Sequence, residues 1–483
     1  MSGARGPFHD RSVRLAELLC VALLVAGCTT NVMAGQAISM VYDPERAGGL
    51  PVADGPSGVR PDAPQPAGKV IGSDGGDADR LALLAVDDIQ EFWEGHYLPE
   101  WPGRFTPVSE LVSYDSTDPL APDLCGQPSY GDPNAHYCPT SDSMSWDRGA
   151  LIPVGRKFYS DVAIVAVLAH EYGHEIQHRA RLVDDDVTRT IVKEQEADCF
   201  SGVYIRWVAE GHSRRFTIST TDGLDRVLAG ALYIRDAPGD VSDPADGHGS
   251  AFDRISAFQK GFEGGPRVCA DIDEQEIAQR GRGLPALPAG DGGETPIDDD
   301  SLSTLLELLG EIFHPAHPPT LTVGGDGSCQ NAKASPPASY CPATNTININ
   351  LPGLQKVAEV KDEQHDQHIL QGDDTAFSMV TSRYALAVER EQGAALDTEQ
   401  AALRTACLTG VAQKAMARPI TLASGKSLVL SAGDLDEAVS GLLSNHLVAS
   451  DTDGRSVPAG FTRIDAFRSG LIGDADKCYQ VFP

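Results

Sequence analysis

Apolar positions spaced three and four apart mark the first clear element of this chain. Between Ser160 and about Arg181, Val162, Val165, Leu168 and Ala169 fall on one face of a helix, which Ser160 or Asp161 is placed to cap. A second helix is expected around Lys193-Glu194-Gln195-Glu196-Ala197-Asp198-Cys199. The run from Leu18 to Ala26 is apolar but too short to span a bilayer, and no other stretch approaches the roughly 18 apolar residues a span requires. Residues 29 to about 78 are rich in Gly, Pro, Ala and Asp and lack the apolar surface to order themselves, so 28–78 is expected to be a disordered tether. A second break at 281–300, with Pro285, Pro288, Gly292, Gly293 and Pro296, is expected to link bodies at 79–280 and 301–483.

Those two bodies repeat one another. His136-Tyr137-Cys138-Pro139-Thr140 returns as Ser339-Tyr340-Cys341-Pro342-Ala343, and Cys199-Phe200-Ser201-Gly202-Val203 as Cys407-Leu408-Thr409-Gly410-Val411. Phe252-Asp253-Arg254-Ile255-Ser256-Ala257-Phe258 returns as Phe461-Thr462-Arg463-Ile464-Asp465-Ala466-Phe467. The expected fold class is α+β, mainly helical, in two tandem copies with small antiparallel sheets. Of the 10 cysteines, Cys20 and Cys28 belong to the N-terminal segment. The other eight permit about 105 pairings; symmetry between the copies favours Cys125–Cys138 and Cys199–Cys269, with Cys329–Cys341 and Cys407–Cys478 as counterparts, over some other pairing within each copy.

The N-terminus carries Arg5, Arg11 and Arg14, then the short apolar run, then Val25-Ala26-Gly27-Cys28. It looks like a bacterial lipobox: residues 1–27 form a signal peptide and Cys28 takes the lipid, anchoring the protein on the outer face of the cell membrane. Paired cysteines agree with export. Composition is that of a globular protein, 41% hydrophobic and 22% charged, but the formal net charge of -31 excludes nucleic acid as a partner, because phosphates are repelled.

Against this background His170-Glu171-Tyr172-Gly173-His174 stands out. On a helix His170 and His174 project from one side, one turn apart, so two imidazoles reach one zinc ion. Glu171 lies beside the first ligand, where it reaches a metal-bound water as general base. A catalytic zinc takes three protein ligands. Glu194 and Asp198, four apart on the next helix, supply a third ligand and a carboxylate for the spare N–H of a ligand histidine. The expected cofactor is one Zn2+ per chain, in the first copy.

These residues resemble the family of predicted neutral zinc metallopeptidases, within the gluzincin class whose third ligand is a glutamate. Tyr137-Cys138-Pro139 and His248-Gly249-Ser250 match that family too, and the resemblance spans roughly residues 120 to 270. It implies that His170, His174 and Glu194 bind zinc and that Glu171 is the general base. It also implies that His248 and Arg254, six apart, contact the substrate carbonyl and support the site. The family's strand before the active helix corresponds to Tyr137 to Asp147, and its edge would hold an extended peptide. The expected substrate is therefore a peptide or protein outside the cytoplasm.

The second copy lacks the machinery. Ser382-Arg383-Tyr384-Ala385-Leu386 stands opposite the histidine motif, and Ala402 and Ala406 stand opposite Glu194 and Asp198. Only Tyr172 and Arg254 keep their counterparts, as Tyr384 and Arg463. A peptidase-like domain without zinc is expected there. The competing expectations are a non-catalytic binding or scaffold lipoprotein and a zinc hydrolase of a non-peptide amide.

Overall fold

Helices make up about half of the described residues, and they come in two matching sets. A computed structural model describes residues 43–184, 186–236, 247–280, 294–325, 327–359, 371–431, 433–444 and 446–483. The expected signal peptide, Cys28 and residues 28–42 lie outside them. In the first half a long helix α1 (Asp77–Glu100) precedes three strands, β2 (Glu110–Tyr114), β3 (Ala135–Cys138) and β4 (Ser143–Asp147). Helices α2 (Asp161–Ala180), α3 (Thr190–Ala209), α4 (Asp222–Tyr233) and α5 (Ala251–Gly264) follow. Two-residue strands β1 (Gly58–Val59) and β5 (Phe216–Thr217) pair with each other. The second half repeats the order: α6 (Asp299–Phe313), β6 (Thr320–Val323), β7 (Ala338–Cys341), β8 (Thr346–Ile349), α7 (Asp373–Glu391), α8 (Glu399–Met416), α9 (Asp434–Ser444) and α10 (Gly460–Ile472).

The sheets share one topology. Their orders are β2-β4-β3 and β6-β8-β7, with the outer pairs β2/β4 and β6/β8 parallel and the hairpins β3/β4 and β7/β8 antiparallel. These two sheets are mixed rather than antiparallel as expected, whereas the β1/β5 pair is antiparallel. The strand expected over Tyr137 to Asp147 is a hairpin, because the chain reverses between Cys138 and Ser143 and returns as the buried central strand β4.

Disulfides join the pairs that the repeat predicted, at sequence separations of 13 and 70 in the first half and 12 and 71 in the second. Close helix crossings repeat as well. A methyl group at Gly202 would stand 2.1 Å from the Phe258 carbonyl oxygen and one at Gly261 1.8 Å from that of Cys199. The same distances separate Gly410 from Phe467 and Gly470 from Cys407. Only glycine lets α3 meet α5, and α8 meet α10, so closely.

Two further expectations need correction. Residues 43–78 are not a free tether: Arg60 donates to the Ser213 and Phe216 carbonyls at 3.0 and 2.9 Å, and Ala53 N–H donates to Thr220 Oγ1 at 2.8 Å. Ile71 bridges Val112 of β2. Composition counts apolar surface, whereas backbone and polar bonds to a distant loop order this segment. Nor does Ser160 cap α2. Its φ is 105° and its N–H turns back to the Gly155 carbonyl at 3.0 Å, while Asp161 sits in the first helical turn, paired with Arg156 at 2.8 Å. Residues 43 to 483 form one compact unit, so the two halves are parts of a single body; residues 281–293 of the expected linker lie outside the described residues, and Asp299 already begins α6.

Candidate metal centre

Helix α2 buries Val162, Val165, Leu168, Ala169, Tyr172 and Ile176 and so turns His170, Glu171 and His174 toward a cleft. Helix α3 crosses close by at Gly173, where a methyl group would lie 2.8 Å from the Ala197 Cα. That approach brings Glu194 and Asp198 against the imidazoles. His170 Nε2 lies 3.1 Å from Glu194 Oε2, and His174 Nε2 lies 3.6 Å from Glu194 Oε1. One donor atom from each of the three residues lies within 4.8 Å of the others. Donors bound tetrahedrally at zinc distances stand about 3.3–3.5 Å apart, so two nitrogens and one carboxylate in this arrangement fit that ion.

The surrounding groups orient the donors. Asp198 Oδ1 accepts from His170 Nδ1 at 2.8 Å, which leaves Nε2 facing the cleft. Arg254, 2% exposed, holds the same carboxylate from Nε at 3.0 Å and Nη2 at 2.8 Å. Its Nη1 donates to the Ile234 carbonyl at 2.7 Å. His174 Nδ1 rests on Gln177 Oε1 at 2.9 Å, and Gln177 Nε2 donates to the Lys193 carbonyl and to Glu196. The role of Gln177 escaped the sequence, although its place three residues after His174 on the same helix face was a usable signal.

Glu171 borders the same cleft, and its Oε2 accepts the Tyr137 N–H of β3 at 3.1 Å. His248 lies at the rim, half exposed, with Nε2 4.0 Å from Glu194 Oε2. Asp236, another residue the sequence did not single out, orients it through Nδ1 at 3.0 Å. The cleft holds about 520 Å³ and is also lined by Asp132, Ala135, His136, Leu151, Val167 and Lys193. His178 is exposed, with Tyr137 Oη 3.4 Å from its Nδ1, and it takes no part in the donor group.

Charge in this pocket is organised around the carboxylates. Burial opposes ionisation of each group, but pairing outweighs it. His174 and His170 hold the Glu194 carboxyl well below its ordinary range, and Arg254 and His170 hold that of Asp198 low. Burial pulls the His170 imidazole down, yet Asp198 and Glu194 push it up to about 10, and Glu194 raises His174.

Among the described residues one further group could hold a metal by proximity: Glu294, Asp373 and Glu437. It offers oxygens only, and Glu294 and Glu437 accept N–H groups from the first turn of α7, at Asp373 and Asp374. Its carboxylates thereby cap a helix. No helix among the described residues is long and apolar enough to cross a membrane. No protein-family model matches this chain, and no match is found among curated proteins or solved structures.

Proposed function

We propose that this chain is a zinc-dependent metallopeptidase that hydrolyses peptide bonds in extracytoplasmic proteins or peptides, with its site in a gluzincin-like first half. The observation that carries the proposal is the convergence of His170, His174 and Glu194 in a cleft that Glu171 also borders. Zinc bound there supplies Lewis acidity, polarising a carbonyl and acidifying water toward a pKa of about 7.

The remaining work falls to side chains. Strand β3 is an edge of its sheet and lines the cleft, so an extended peptide can add to it through backbone hydrogen bonds. Glu171, fixed on the Tyr137 N–H, takes a proton from the attacking water and passes it to the leaving amine. His248, oriented by Asp236, donates toward the oxygen where negative charge develops. Asp198 and Arg254 keep His170 in the tautomer that presents Nε2. The four disulfides suit an oxidising compartment, and the lipid on Cys28 would hold the enzyme at the membrane surface.

A peptide-library digest with wild type and Glu171→Gln tests the proposal alongside zinc analysis of both proteins. One zinc in each and cleavage by the wild type alone are expected. Cleavage that persists in the mutant removes the proposed base. A wild type that holds zinc yet cleaves nothing points to a binding lipoprotein or a non-peptide amidase.

A further inference from the structure

The two halves meet through a reciprocal exchange of aspartates. Asp225 of α4 reaches across to the second half, where Oδ1 accepts the Gly460 N–H at the start of α10 at 2.7 Å and Oδ2 pairs with Arg463 at 2.8 Å. Its counterpart in the repeat is Asp436 of α9, since Leu224-Asp225 matches Leu435-Asp436. Asp436 reaches the other way. It faces the backbone of Ala251 and Phe252 at the start of α5, and its Oδ2 lies 3.2 Å from Arg235 Nε. Gly460 and Ala251 are themselves equivalent, one residue before Phe461 and Phe252. The two contacts thus approach the self-complementary form of a two-fold dimer within one chain, but their arginines differ, because Arg463 is the counterpart of Arg254 and not of Arg235.

The two ends have different consequences. At the α10 end, the other hydrogen bonds of Arg463 among the described residues go to the carbonyls of Leu442, Val457 and Pro458. At the α5 end, Arg235 lies in the tripeptide Ile234-Arg235-Asp236, and each of its neighbours serves the candidate metal centre. The Ile234 carbonyl receives Arg254, which holds Asp198 and through it His170. The Asp236 carboxylate holds His248 Nδ1 and the Gly249 N–H. The side chains of Arg235 and Asp436 are only 4% and 5% exposed, so solvent does not weaken the tie.

We infer that Asp436, in the half without metal donors, is a positioning residue for the metal centre of the other half, acting through Arg235 on the tripeptide that seats Arg254 and His248. The second half is then a built-in subunit that completes the scaffold of the first. This rests on the zinc assignment above, but its geometry stands without the ion.

The test uses the full chain and two isosteric variants at equivalent positions, Asp436→Asn and Asp225→Asn. Zinc affinity is measured by chelator competition, and backbone hydrogen exchange is followed in the metal-free proteins. Asp436→Asn is expected to weaken zinc binding by roughly 3–10-fold, at or below the range for groups directly behind a ligand, and to speed exchange from Gly249 to Arg254. Asp225→Asn is expected to speed exchange from Gly460 to Arg463 and to leave zinc affinity within about twofold of wild type, since no ligand lies behind it. Should Asp436→Asn fail to fold, Arg235→Gln is measured in its place, because the remaining carboxyl can take up a proton. Wild-type zinc affinity with unchanged exchange at 249–254 overturns the inference. Equal loss of affinity in the two aspartate variants overturns it as well, as a general loosening. If the wild type takes up no zinc, the zinc assignment fails separately, and the exchange pattern alone decides the coupling.

Discussion

Helices α2 and α7 occupy the same place in the two halves, yet one opens on a cleft and the other is sealed. His174 and Glu194 keep side-chain exposures of 20% and 12%. Their counterparts Leu386 and Ala402, like Ser382, Arg383 and Ala406, are fully buried. Where Glu171 borders the cleft, Arg383 sends its guanidinium to the carbonyls of Leu447, Ser450 and Asp451 and to two serine hydroxyls. Arg404 pairs with buried Glu389 at 2.9 Å nearby. The second half thus fills its centre with its own cations, whereas the first leaves two carboxylates facing imidazoles. One scaffold of matched disulfides and glycine crossings supports both solutions, so it is the content of a few positions that decides between a site and a core.

The sharpest way to break the comparison is to remove the proposed base. Glu171→Gln should lower turnover by roughly 10²–10⁴-fold, the range for general acid–base groups, with zinc content unchanged, as read by peptide cleavage and metal analysis. Next comes the sealed centre. Arg383→Ala leaves several buried acceptors unpaired and a cavity, and should cost about 3 kcal/mol or more in urea unfolding. Glu171→Ala, at a site open to water, should cost about 1 kcal/mol or less. A third variant probes the helix crossing. Gly173→Ala must push α3 away from α2, so zinc affinity should fall about tenfold by chelator competition, whereas the second half already carries alanine there, as Ala385.

The smallest effect concerns pH. Burial, together with Glu294, Asp374, Asp373 and Asp434, pushes the Glu437 carboxyl up to about 10. A raised folded-state pKa favours the protonated, folded form, so its contribution is complete below the unfolded value near 4.5 and is lost as pH rises toward 10. Melting temperature should therefore decline from pH 6 to pH 10, and Glu437→Gln should flatten the decline. An identical slope in the variant would assign the decline to other groups.

Much of the candidate site was legible because helical geometry is local. Four-residue spacing alone put His170 beside His174 and Glu194 beside Asp198, each pair on one face. The repeat also pointed to the disulfides, since matching cysteines in matching elements favour the same pairing in both halves. Legibility ended where partners are remote in the chain. Asp236 is twelve residues from His248 and Arg235 is 201 from Asp436, and no periodicity links either pair. Residues 43–78 were misjudged for the same reason, because the loop that orders them lies more than 150 residues away.

By itself, then, the sequence determined which side chains share a helix face, where the halves repeat, and which half kept the candidate metal donors. Tertiary structure alone decided that α2 and α3 approach closely enough at Gly173 to bring Glu194 and Asp198 against His170 and His174. It also decided that the first centre stays open while the second is packed shut, and that an aspartate of one half braces the other. Side-chain direction along a helix follows from backbone geometry shared by every helix, but which faces meet, and how closely, depends on packing over the whole molecule.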